Sequence, residues 1–115
     1  MPFRDEARER RGPDAPLEVE LAAHSTSQLY ADLGGTVMGV FASTFLLLER
    51  DMHVDLVLAF PDRTSVRARG IVQFVRAAAP DQLPGLGIAF TELADDDRDV
   101  IARFAELRPP MLWDE

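Results

Sequence analysis

Two stretches of this chain alternate apolar and polar residues and are separated only by a turn signal. In His53–Phe60, residues Val54, Leu56, Leu58 and Phe60 share one face. Pro61-Asp62-Arg63 follows, and then Thr64–Arg76, with Val66, Ala68, Val72 and Phe74 inward and Arg67, Arg69 and Gln73 outward. A period of two is the signature of a strand with one buried face, so the pair predicts a β-hairpin. Little else can be built on a hairpin of this length except a larger sheet that covers its apolar side.

The same period recurs along the chain. Leu17–Ala23 sets Leu17, Val19 and Leu21 against Glu18 and Glu20, and predicts a first strand. His24-Ser25-Thr26-Ser27 reads as a polar turn, Gln28–Leu33 as a second strand, and Val37–Thr44 as a third. Gly39 lies inside the third strand, where glycine marks either a bulge or a close approach of another group. Gly85–Phe90 predicts a short strand with Leu86, Ile88 and Phe90 on one face. The period changes once. From Asp95 to Arg108, the residues Val100, Ile101, Phe104 and Leu107 have helical spacing, and Pro109-Pro110 ends the run. Asp95 is the expected N-cap, with Asp96, Asp97 and Asp99 in the first turn, where the helix dipole favours negative charge. The expected fold is mainly β: a small six-stranded antiparallel barrel with one C-terminal helix.

At 115 residues, the chain fits a single domain. Its expected organisation is an Arg-rich arm over 1–14, the barrel and helix over 15–108, and a tail over 109–115. The tail carries Leu112 and Trp113, a type of side chain that often anchors a partner. The charged start lacks the apolar stretch of a signal peptide, which gives a cytoplasmic expectation. Phe45-Leu46-Leu47-Leu48, followed by Glu49-Arg50-Asp51, is too short to span a membrane and reads as a core segment.

Chemistry-bearing residues are few. With no cysteine there is no thiolate nucleophile or thiolate zinc site. His24 and His53 have no partner at metal-site spacing, and the Asp95–Asp99 run lacks the turn glycine of a calcium loop. Gly34-Gly35-Thr36-Val37-Met38-Gly39 has no phosphate-loop lysine. No serine sits in a nucleophile elbow. The chain is therefore expected not to be an enzyme and to need no metal or cofactor. A net charge of −8 argues against nucleic acid as a partner. All 12 basic residues are arginine, and the first 11 residues hold four of them, including Arg4 and Arg8, spaced four apart. Arginine can fork a phosphate or the N7/O6 edge of guanine, so a small anionic nucleotide is still open to this arm.

Several segments, in order, resemble the PilZ domain family over roughly residues 4–107. Gly39-Val40-Phe41-Ala42-Ser43-Thr44 is similar to the family's glycine-hydrophobic-Phe-x-x-Thr stretch. Ala59-Phe60-Pro61-Asp62 resembles its central turn, Arg69-Gly70-Ile71-Val72 its long strand, and Gly85-Leu86-Gly87-Ile88-Ala89-Phe90 its last strand. Leu93 and Asp97-Arg98 fit the run into its last helix. The resemblance implies a six-stranded barrel with a helix, a bacterial signalling role and, in typical members, binding of cyclic di-GMP through RxxxR and [D/N]xSxxG motifs.

Those ligand motifs are altered here. Aligned on Gly39, Gly34 stands at the [D/N] position and Thr36 at the serine. Asp32 lies two residues earlier and can serve only if the loop shifts. Upstream, Arg4 and Arg8 satisfy RxxxR; in the alternative register the pair is Arg11 and Ala15, with one arginine missing. An unpaired guanine edge costs about 1–3 kcal/mol per group, so two lost contacts weaken binding by about 10²-fold or more. The resemblance thus implies an adaptor that contacts proteins of a motility, pilus or signalling pathway, with weak or absent cyclic di-GMP binding. The alternative is a genuine cyclic di-GMP receptor using Arg4, Arg8 and the Gly34–Gly39 strand.

Overall fold

The computed structural model describes residues 15–21, 25–32 and 34–112, with only the backbone at 111 and 112. Its elements are β1 (Leu17–Glu20), β2 (Gln28–Ala31), β3 (Val37–Ser43), β4 (His53–Ala59), β5 (Ser65–Arg76), β6 (Gly85–Leu93), α1 (Asp95–Leu107) and β7 (Met111–Leu112). One sheet, ordered β1-β4-β5-β6-β3-β2-β7, curls into a half-barrel, and the single helix is C-terminal. The mainly-β class with a closing helix is the expected one. Two details differ from an all-antiparallel six-stranded barrel. The tail adds a short seventh strand, and both outermost pairings, β1 with β4 and β7 with β2, are parallel.

The β4–β5 hairpin forms as the alternation predicts, with Leu56 opposite Ala68 and Ala59 opposite Ser65. Phe60 N–H donates to Thr64 O (2.9 Å), and Arg63 N–H donates to Phe60 O (3.0 Å). This three-residue loop puts its last member in the left-handed region, and Arg63 takes it, at φ 71°. Asp62 Oδ1 accepts the Thr64 N–H at 3.0 Å. Hydrogen bonds from the side chain and backbone of Thr64 hold the Asp62 carboxyl below its ordinary value.

The core lies in the concave face. Val19, Leu21, Val40, Leu56, Leu58, Val72, Leu86 and Ile88 meet there at 2% exposure or less. Ile101 of α1 joins them, and Phe104 meets Phe60 edge-on, with centroids 4.9 Å apart. Ala94, not Asp95, is the N-cap residue, and no side chain caps it; Asp95, Asp96 and Asp97 all fall inside the first turn, where the dipole acts on them. Arg108 is the C-cap residue and reaches across the chain, with Nη2 donating to Ser25 O (2.8 Å) and Ser27 O (3.2 Å). Those bonds tie the helix end to the β1–β2 connection.

Phe74 is not in the core. The β5–β6 register passes from Val72↔Ile88 to Phe74↔Gly87, which leaves Gln73 as an extra residue. One extra residue moves every later side chain to the opposite face. Phe74 therefore stacks on Phe41, with centroids 6.2 Å and planes 13° apart. The Arg76 guanidinium lies 4.3 Å over the same Phe41 ring, which makes a covered outer face on β3 and β5. Among the described residues, no helix is long and apolar enough to cross a membrane.

Candidate functional site

The candidate ligand residues Asp32, Gly34 and Thr36 lie on the glycine-rich turn between β2 and β3. Asp32 N–H donates to Thr36 O (3.0 Å), and Gly35 N–H donates to Asp32 O (3.0 Å). Asp32 Oδ1 accepts two further backbone donors, Gly34 N–H at 2.9 Å and Thr36 N–H at 3.0 Å. Gly35 supplies the left-handed residue, at φ 87°. The Asp32 carboxylate thus closes its own turn, and Gly34 supplies a backbone N–H and no side chain. Asp32, Gly34 and Thr36 are brought together, all exposed, at the tip of this hairpin.

Gly39 has a different task. It pairs with Tyr30 across β2–β3, and the register shift next to it leaves Met38 as the extra residue of a bulge. A Cβ at Gly39 would lie 2.5 Å from Tyr30 Oη and would also meet the backbone oxygen of Ile88. The tyrosine ring fills the space that glycine leaves. Tyr30 is 1% exposed, and burial pushes its phenol up to about 12. Gly39 therefore sits beside a bulge and seats a ring of this chain. Arg4, Arg8, Arg11 and Trp113 lie outside the described residues. Leu112 is tied to the sheet: β7 places it opposite Ala31, one residue from the Asp32 turn.

A second region departs from the sequence expectation. Phe45-Leu46-Leu47-Leu48 is not a core segment. Phe45 is 74% exposed and Leu47 91%, and only Leu48 and the nearby Met52 pack against the core. The local reason is the end of β3. Thr44 N–H still reaches across to Pro84 O (3.2 Å), but Thr44 Oγ1 then accepts Leu46 N–H (3.1 Å), and this local turn lifts the chain off the sheet. The far end is held by Met52 N–H donating to Glu49 O (3.3 Å) and by Asp51 N–H donating to Val72 O (2.8 Å). Two anchored ends thus hold an apolar loop out in solvent. The one sequence signal is that this run, unlike β1 and β4, has no polar alternation.

Phe45 also lines a cleft of about 630 Å³ where the half-barrel fails to close. One wall is β1 (Leu17–Glu20), and the other is Ala42–Phe45 with Leu83 and Pro84. Its floor is the buried Ser27, whose Oγ accepts Ser43 N–H at 2.8 Å. Leu83, on the cleft wall, is itself 47% exposed. Elsewhere among the described residues, no group of three or more His, Asp or Glu is placed to hold a metal.

No protein-family model, curated protein or solved structure matches this chain.

Proposed function

We propose that this chain is a non-enzymatic, PilZ-like adaptor that works through protein contacts, in the control of motility, pili or surface behaviour, with cyclic di-GMP binding weak or absent. The observation that carries the adaptor reading is the Phe45–Leu47 loop, apolar, anchored at both ends and exposed. Large apolar side chains held together in solvent mark interaction surfaces in soluble proteins. The weak-ligand part rests on the β2–β3 turn. Gly34 offers no side chain to a guanine edge, and Asp32 Oδ1 already accepts the two N–H groups nearest to it. The PilZ-like and motility elements rest on the sequence resemblance.

Calorimetric titration with cyclic di-GMP tests the ligand part. Little or no heat is expected at high micromolar ligand, and tight binding lost in Arg4→Ala/Arg8→Ala would establish the receptor alternative. For the adaptor part, the wild-type chain and Phe45→Ser/Leu47→Ser are used as bait in a bacterial lysate. A protein held by the wild type and released by the variant is expected; equal capture by both removes the loop as the docking surface.

A further inference from the structure

Among the described residues the sheet ends at β1, and the outer edge of β1 has a definite chemistry. Leu21 N–H donates to Ala59 O at 2.8 Å, continuing the parallel pairing in which Val19 lies opposite Leu58. In a parallel ladder, alternate residues bond to the same neighbour. The N–H and C=O groups of Leu17 and Val19 thus face β4, and those of Glu18 and Glu20 face away. Among the described residues, those outward groups meet no partner. The side chains follow the same alternation: Val19 is buried under the sheet, while Glu18 and Glu20 are exposed on the other face.

A row of backbone donors and acceptors with no partner among the described residues is a template for another strand. Here it borders the open cleft, which already has apolar walls at Phe45, Leu83 and Pro84. A strand laid along β1 would point alternate side chains into that cleft and the others toward Glu18 and Glu20. A second copy of this chain fits poorly. Pairing β1 with β1 would set glutamates against glutamates, and like charges across a strand pair are destabilising. Two molecules of net charge −8 also repel.

We propose that the outer edge of β1 docks an extended segment of a partner protein, one whose alternate residues are apolar and basic. This rests on the adaptor reading and gives its partner a chemical class. The backbone ladder supplies affinity, the cleft takes the apolar side chains, and the glutamates select arginine or lysine.

The test is a displayed library of segments of about eight residues, a strand's length, with alternate positions apolar and the rest random. Selection on the full chain should enrich Arg and Lys at the random positions. Glu18→Arg/Glu20→Arg should turn that enrichment over to Asp and Glu. Glu20→Pro removes an outward N–H and leaves the bonds to β4, as proline does on an edge strand; it should weaken a selected peptide by about tenfold. N-methylation of alternate peptide amides should weaken it similarly. The proposal is overturned if nothing is enriched, if charge reversal leaves the selected sequences unchanged, or if N-methylated peptides bind equally well. A wild-type dimer in sedimentation that separates in Glu20→Pro would also overturn it, in favour of a second copy. The adaptor reading is tested separately: it stands if Phe45→Ser/Leu47→Ser loses its captured protein while Glu18→Arg/Glu20→Arg keeps it, and it fails if Phe45→Ser/Leu47→Ser captures as the wild type does.

Discussion

Tyr30 and Gly39 act as one unit, although nothing in the sequence pairs them. The ring lies where a Cβ at Gly39 would be, and the phenol is buried by that placement. Gly39→Ala therefore forces either the ring or the strand to move, at a cost of about 1–3 kcal/mol, as for other overpacked cores. The same substitution should bring the phenol down from about 12 toward its ordinary value. Tyr30 is the only tyrosine, so tyrosinate absorbance against pH reads it directly. The raised value also fixes the sign of an alkaline effect. Below the unfolded value near 10, both states are protonated and nothing is lost. Between about 10 and 12 the unfolded chain ionises while the folded one resists, and stability falls by about 2–3 kcal/mol. Denaturant unfolding of the wild type across that window should show this fall, and Gly39→Ala should show less of it. From sequence, Gly39 could be placed beside a bulge, but a ring two strand positions from a turn leaves no mark in a period-two pattern.

At the scale of elements, the two hairpin turns solve one problem with different residues. Both use a three-residue loop with the same pair of backbone bonds, and both need a left-handed last residue. Gly35 meets that need without strain, whereas Arg63 holds φ 71° with a side chain attached. Left-handed backbone costs a non-glycine residue about 1–2 kcal/mol. Arg63→Gly should therefore raise stability, by about 1 kcal/mol after glycine's own entropy is charged against it. Thermal unfolding of the two chains checks the direction, and an unchanged or lower midpoint would contradict it. The β4–β5 hairpin and the inward faces of β1 and β4 are legible from alternation, and the helix from its change of period. The bulge at Gln73 is not. It depends on which residue of β6 faces which residue of β5, and pairing across strands is not written in either strand alone. For that reason Phe74 faces opposite to the side that alternation predicts.

For the whole molecule, the informative failure is Phe45-Leu46-Leu47. Hydrophobicity says that a run belongs inside, and only the fold says whether the inside has room. Here the concave face is already filled by strands and by Ile101 of the helix. The loop is left over, so Phe45→Ser/Leu47→Ser should change stability by less than about 0.5 kcal/mol, as at other surface positions. A large loss of stability would mean that the loop packs in solution and is no docking surface. Of the candidate ligand residues, Asp32 is expected in the second strand but closes the β2–β3 turn with Gly34 and Thr36, and Leu112 lies in an edge strand beside it.

The parallel pairing of β1 with β4 also has a consequence in time. Leu17 must find Leu56, about forty residues away, whereas β4 finds β5 through a turn of three. Closing the longer loop costs more entropy before any contact repays it. The hairpin can form on its own schedule, and β1 can join only a partner that already exists. The edge that β1 offers therefore exists only once the hairpin has formed and β1 has joined it.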